Sequence, residues 1–259
     1  MKLIPLIFLF ATLAHAAPNL PAPKPKPVPH IETCTTIKLK TDEPVPGVLE
    51  AWGRKSTLWP QNKTLRVLFL NGSKSQQTQA WKRFQIIDAL INLTFVQAPT
   101  GKAEIRVTFD PNGGHWSYVG TDCLGIPSTQ PTMNLALRAG IFGDAASEWD
   151  RVALHEVLHA IGLHHEHQHP QAAIPWDEAK VIAYYQQTQG WTEQEIRFQV
   201  LNPEPMNADF IGTAFDPQSI MEYPVPKELT KNGFSVGWNK KLSPQDLAFV
   251  PSLYPAKRK

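Results

Sequence analysis

The chain has 259 residues, 42% of them hydrophobic, enough to bury a core as one domain or two lobes. Its formal charge of +2, with no long basic run, argues against a nucleic-acid partner. No segment has the ~20 consecutive apolar residues needed to span a bilayer, so no membrane partner is expected.

Met1 to Ala16 carries Lys2, the apolar run Leu3–Leu13 and then Ala14-His15-Ala16. That pattern predicts a secretory signal peptide over residues 1–16 with an A-x-A cleavage site, and hence a secreted, extracellular product. Residues 17–50 begin with alternating prolines (Pro21-Ala-Pro-Lys-Pro-Lys-Pro-Val-Pro), which predicts an extended arm; the stretch from His30 to Glu50 is a short pro-segment or belongs to the folded domain. The chain has two cysteines, Cys34 and Cys123. In an exported chain an even pair predicts a disulfide; the alternative is that Cys34 ligates a metal as a thiolate and acts as a latch.

The compact domain is expected over residues 51–259. Thr64–Leu70 is rich in apolar and β-branched residues and ends at Asn71-Gly72, which predicts a strand. Over Ser75–Leu90 the apolar residues Trp81, Phe84, Ile87 and Leu90 recur every three positions, which predicts an amphipathic helix. Leu93–Gln97, Glu104–Phe109, His115–Val119 and Thr132–Leu137 read as further strands, with a turn at Asp110-Pro-Asn-Gly-Gly. Asp144 or Ser147 is placed to cap the next helix, with Glu148 and Asp150 near its positive end. Beyond Pro170 and Pro175, helices are expected over Trp176–Thr188 and Thr192–Val200, separated by Gly190, then a loop-rich stretch from Pro203 to Pro226. Ser243-Pro-Gln-Asp opens a last helix running to Leu253. The sum is an α+β fold of two small lobes.

Between the lobes lies His155-Glu156-Val-Leu-His159-Ala-Ile-Gly162-Leu-His164-His165, which reads H-E-x-x-H-x-x-G-x-x-H. A bare H-E-x-x-H arises by chance in about one chain in a hundred of this length, and the added Gly and His make coincidence about 500-fold rarer. On a helix His155 and His159 share a face, so two imidazoles reach one ion. Gly162 can take a left-handed conformation and turn the chain so that His165 reaches the same ion. Three imidazoles leave a fourth position for water, as in catalytic rather than structural zinc sites, and Glu156 sits off the ligand face where it can hold that water. One Zn2+ per chain is expected. The neighbouring His164, His167 and His169 read as surface histidines, with a second metal or a pH response as the alternative.

Downstream comes Ser219-Ile220-Met221-Glu222-Tyr223. An extended H-E-x-x-H-x-x-G-x-x-H followed by a methionine turn resembles the metzincins, and S-I-M-x-Y together with Glu166 directly after the third His resembles their astacin branch. Leu58-Trp59-Pro60 is similar to the start of an astacin catalytic domain, Trp116–Gly120 to the edge strand above its cleft, and His165-Glu-His-Gln-His-Pro with Ile174-Pro-Trp-Asp177 to microbial astacin-like proteins. The resemblance spans about Trp52 to Pro255. It implies a two-lobed metzincin fold with a mixed sheet, an active-site helix and a helical C-terminal lobe. It further implies zinc on His155, His159 and His165, Glu156 as catalytic base, Met221 as an apolar floor, Tyr223 as catalytic donor to the oxyanion, and Glu166 as the residue that meets the mature N-terminus. The implied activity is that of a zinc metalloendopeptidase acting on proteins or peptides as a monomer; the alternative is a secreted zinc-binding interaction module without turnover. Two departures stand out. No F-x-G-D aspartate switch lies between Ala17 and Trp52, since Phe142-Gly143-Asp144 falls inside the domain, and two cysteines are fewer than astacins usually carry.

Overall fold

The computed structural model describes residues 34–37, 52–137 and 146–255. Its elements in chain order are β1 (Cys34–Ile37), β2 (Gly53–Arg54), β3 (Thr64–Phe69), α1 (Lys74–Asp88), β4 (Thr94–Gln97), β5 (Ile105–Thr108), β6 (His115–Tyr118) and β7 (Met133–Asn134). A continuous helical stretch follows: α2 (Ala146–Trp149), a π-helical turn (Asp150–Leu154) and α3 (His155–Ala160). The C-terminal part holds α4 (Glu178–Gln189), α5 (Glu193–Ile196) with a second π-helical turn (Arg197–Leu201), β8 (Phe210–Ile211) and α6 (Pro244–Leu253).

The main sheet has six strands in the order β1-β6-β7-β5-β3-β4. Its neighbours are parallel except for the antiparallel pair β6–β7, which sets Trp116 beside Asn134. Parallel neighbours need a crossover, and α1 supplies it between β3 and β4. A capping box starts α1: the Ser73 hydroxyl accepts from the Gln76 N–H, and the Gln76 side chain returns to the Ser73 N–H. Phe84 and Ile87 on its inner face bury themselves against Leu65, Val67, Ile105 and Val107 of the sheet. The same core takes Val152, Val157, Leu158 and Ile161 from the central helix and Phe249, Val250 and Leu253 from α6. A second, smaller core forms around Val181, Tyr184 and Tyr185 of α4, with Ile196, Val200 and Leu229. Two cores, one on the sheet and one among helices, make the two-lobed α+β fold. No helix among the described residues is long and apolar enough to cross a membrane.

Most of the expected elements stand. α4 closes at Gly190, left-handed at φ 70°, and α6 opens at Ser243 with Pro244 in its first turn. Four expectations change. The strand expected over Thr132–Leu137 is only Met133–Asn134; on its C-terminal side the Ala136 N–H is taken by His115 Nδ1 rather than by a neighbouring strand. The strand expected at the sheet edge, β6, has its outer side covered by β1, with Cys34 beside His115 and Ile37 beside Tyr118. An open edge offers a row of unpaired backbone groups, and the chain's own upstream segment satisfies them here. The expected Cys34–Cys123 disulfide is not formed: Cys123 is a free, buried thiol. The β1 register puts Cys34 at the end of β6 away from the turn that carries Cys123, and burial pushes that thiol up to about 12. Of the expected caps, Asp144 lies outside the described residues and Ser147 falls inside α2. Glu148 and Asp150 do fall in the opening turns of this helical stretch, where they also pair with Arg151 and Arg83.

Candidate zinc centre

The ligand helix is built to stop where the motif needs it to stop. Gly162 has φ 112°, and a Cβ there would lie 2.7 Å from Leu58 Cδ2, so the turn out of the helix requires glycine. The helix's last carbonyls would be orphaned by that turn. Trp59 Nε1–H donates to Ala160 O at 2.8 Å, and the Tyr254 hydroxyl donates to Ile161 O at 2.6 Å. The chain then runs extended through His165, at φ −70° and ψ 132°, into a single 3-10 turn over Glu166–Gln168.

His155, His159 and His165 meet at one point. His165 Nε2 lies 3.1 Å from His155 Nε2 and 3.0 Å from His159 Nε2. His155 Nδ1 is 2.8 Å from Ile220 O, and His159 Nδ1 is 2.7 Å from Leu163 O. A carbonyl oxygen can only accept, so both Nδ1 atoms carry the proton and both Nε2 atoms turn a lone pair inward. Lone pairs about 3 Å apart in a buried site repel unless a cation sits among them, and three imidazole nitrogens suit zinc. Burial disfavours the imidazolium form and pulls His155 down to about 4, which leaves the ring ready to ligate.

The supports of these ligands come from distant parts of the chain. Asp246, third residue of α6, accepts from Ser219 Oγ at 2.7 Å and from Ile220 N–H at 2.9 Å, and so holds the turn whose Ile220 carbonyl orients His155. Met221, 1% exposed, lies in that turn within the main core. Trp52 Nε1–H donates to His165 O at 3.0 Å. Glu166 N–H donates to Met221 O at 2.9 Å, tying the third ligand's segment to the methionine turn. Outer partners of this kind fix ligand orientation. Sequence reasoning assigns neither Trp52 nor Asp246 to the site. Ser243-Pro-Gln-Asp246 announces a capped helix, and nothing local says that the carboxylate also reaches Ile220.

Glu156 and Tyr223 are both buried and line one cavity with His155, His115, Arg151 and Trp238. Arg151 stacks on Trp238 with its guanidinium 4.3 Å from the ring centroid, and its Nε–H bonds to Glu148 at 2.9 Å. The cavity thus sets a guanidinium on an indole face near the ligands, with the buried Glu156 carboxylate and Tyr223 phenol lining the same space. Glu166 is buried rather than on the surface, with Oε1 accepting from Asp216 N–H at 2.8 Å; burial raises its carboxyl to about 8. Glu222 is also held well above the usual carboxylate range, by burial first and then by the nearby Glu166 and Asp216.

The reading of His164, His167 and His169 as surface histidines is corrected: all three are buried. Each lies against an aromatic ring from elsewhere in the chain. His164 stacks on Trp52 at 4.3 Å, His167 on Tyr223 at 4.2 Å, and His169 meets Phe210 edge-on at 5.7 Å. Trp52 and Phe210 are themselves stacked at 5.7 Å, and among the described residues the group that could hold a metal is His155, His159 and His165.

The model of the Astacin peptidase family matches residues 51–236. A solved structure of myroilysin is 35% identical, covers 80% of this chain and 100% of its own, and superposes with a TM-score of 0.76. A second, crystal structure of myroilysin is 32% identical and covers 87% of this chain and 92% of its own, with a TM-score of 0.64. High choriolytic enzyme 1, a hatching enzyme zinc-protease from Oryzias latipes (medaka fish), is 14% identical over 78% of this chain and 96% of its own; its TM-score of 0.53 speaks to the fold alone. No curated protein matches the chain significantly.

Proposed function

The chain belongs to the astacin family of zinc metalloendopeptidases, and we propose that it is an exported enzyme in which Glu156 is the general base and Tyr223 the oxyanion donor. The carrying observation is that His155 and His159 have their Nε2 lone pairs turned inward by carbonyl partners, with Glu156 and Tyr223 lining the cavity beside them. His155, His159 and His165 would hold one zinc per chain, which would supply Lewis acidity to the scissile carbonyl and bring the pKa of water down towards ~7. Glu156 accepts the proton of the attacking water as its oxygen bonds to the carbonyl carbon. Tyr223 O–H donates to the oxygen that gains charge in the tetrahedral intermediate. As the C–N bond breaks, the proton on Glu156 passes to the leaving amine. Burial of Glu156 excludes bulk water from that transfer.

Residues 1–16 are read as a signal peptide and 17–50 as a pro-segment ahead of the catalytic domain at 51–259. The parallel pairing of β1 with β6 supports this, because β6 is the strand expected to receive an extended substrate. With Cys123 unbonded, the reading of Cys34 as a thiolate latch takes the place of the bridge. The substrates are proteins or peptides, met by a monomer with no nucleic-acid or membrane partner. N-terminal sequencing of the chain recovered from culture medium checks export and processing together.

The test of the chemistry is Glu156→Gln. The amide keeps the size and the hydrogen bond to water but cannot take the proton, so about one zinc per chain should remain while peptide cleavage is almost abolished. Atomic absorption and a cleavage assay on the same sample read both. Loss of zinc in this variant, or parent-like cleavage, would overturn Glu156 as the base.

A further inference from the structure

We propose that His167 is a positioning residue for catalysis: it holds the ring of Tyr223 against the ligand cluster, so that the phenol enters the reaction already oriented. The inference rests on the reading of Tyr223 as oxyanion donor and adds a residue that the zinc motif does not contain.

The Tyr223 ring sits between two imidazoles of one short segment. His165 is 4.3 Å away at an interplanar angle of 56°, and His167 is 4.2 Å away at 25°, close to parallel. A near-parallel stack at this spacing permits sliding of the phenol less readily than an apolar wall, because flat faces prefer a defined offset. The His167 ring is itself fixed. Its Nε2 lies 2.8 Å from Gln199 O, and since that oxygen can only accept, Nε2 carries the hydrogen and the ring cannot flip without losing the bond. Gln199 lies in the π-helical turn Arg197–Leu201. Wide turns of this kind interrupt the regular backbone ladder and occur often at functional sites. The segment below is pinned as well: Glu166 N–H donates to Met221 O at 2.9 Å, so the backbones that carry His167 and Tyr223 are joined beside the stack.

A purely structural role is the competing account, in which His167 only fastens residues 165–169 to the π-helical turn. Gln168 already makes that fastening. Its Nε2 donates to Phe198 O at 2.7 Å, and its carbonyl accepts from Glu204 N–H at 2.8 Å. What His167 adds is the flat face against Tyr223. Misplacing a catalytic group by about 1 Å can cost on the order of a hundredfold in rate, so the contact is large enough to measure.

The experiment compares His167→Leu, which fills the volume without a flat face, with His167→Phe, which keeps the face, and with Gln168→Ala as a control for fastening alone. Each is made in the parent and in Tyr223→Phe, and kcat, KM and zinc content are read for all. His167→Leu is expected to lower kcat about tenfold to a hundredfold, with KM within about twofold and one zinc retained. His167→Phe should recover most of that loss, and Gln168→Ala should keep the parental kcat while lowering the unfolding midpoint. In the Tyr223→Phe background, where the donor is gone, His167→Leu should cost nothing further. The proposal is overturned if His167→Leu keeps the parental kcat, if it multiplies the Tyr223→Phe loss by its full factor, or if both His167 variants lose zinc. Tyr223→Phe alone should lower kcat by about 10²–10³. A parental kcat there would refute the donor role itself, and that result is separate from any behaviour of His167.

Discussion

Six buried histidines fall between His155 and His169, and they divide into two sets of three that do opposite things. His155, His159 and His165 point their Nε2 atoms at a common centre, with Nδ1 of the first two held by carbonyls. His164, His167 and His169 each lie against an aromatic ring instead, His164 and His169 on the stacked pair Trp52–Phe210 and His167 on Tyr223. Residue type and burial are the same in both sets. What makes a ligand is the direction of a lone pair, set by what the other ring nitrogen bonds. What makes the second set useful is the flat face, which packs the extended segment after Gly162 against Trp52, Tyr223 and Phe210.

The widest separation between the sets comes from one substitution made in each. His159→Phe keeps a planar ring on the helix but removes the inward lone pair, so stoichiometric zinc and with it peptide cleavage should be lost. His164→Phe also keeps a planar ring, here against Trp52. It should hold its zinc and most of its activity, with a stability change of about 1–2 kcal/mol. Metal content by atomic absorption decides the comparison. If both variants keep zinc, or both lose it, the division into ligands and packing rings is wrong.

The two sets are not equally legible in the sequence. His155 and His159 are four apart on a helix, and the turn at Gly162 follows from a local conformational need, so the first set can be read from spacing alone. The second set is adjacent in sequence, yet its burial depends on Trp52, Phe210 and Tyr223, which the fold brings from far along the chain. Polar residues after a motif look like solvent-exposed ones until those partners are placed. The same distinction runs through the fold. The helices over 74–88, 178–189 and 244–253 announce themselves by caps and periodicity within a few residues of where they fall. The pairing of β1 with β6 and of β2 with β8 rests on contacts between segments remote in sequence, and no local signal marks them.

A smaller effect distinguishes the sets by pH. Burial of the His169 ring pulls its pKa from 6.5 down to about 4, with a partial offset from the Thr213 backbone, while its Nδ1 accepts from Gln171 N–H at 3.0 Å. The unfolded chain therefore binds a proton that the folded one refuses. Stability is fully present above pH 6.5 and is lost as pH falls towards 4. Over the interval from about pH 7.5 to 5, with solvent screening taken into account, this group should contribute on the order of 1 kcal/mol. His169→Gln removes the titration without touching a ligand, so its urea midpoint should fall less steeply with acid than the parent's. Parallel acid limbs would show that His169 is readily protonated in the folded state.

The smallest expected effect is at Trp52, which, like Tyr223, touches both sets. Trp52 stacks on His164 through its ring and donates its indole N–H to the carbonyl of His165. Trp52→Phe separates these two jobs, since a phenyl ring keeps a flat face for His164 while the donor to His165 is deleted. Loss of one neutral hydrogen bond in a buried place costs about 1 kcal/mol of stability, somewhat more if the carbonyl is left without a partner. If that bond also orients the third ligand, zinc affinity should fall by up to about tenfold, the low end for an outer partner of a metal site. The measurement is a competition between the protein and a chelator of known affinity, run beside an unfolding curve on the zinc-loaded protein. A drop in zinc affinity beyond what the unfolding curve accounts for assigns Trp52 to the ligand set. Unchanged affinity with lowered stability assigns it to the packing set, and His165 would then owe its orientation to the Met221 side of the turn.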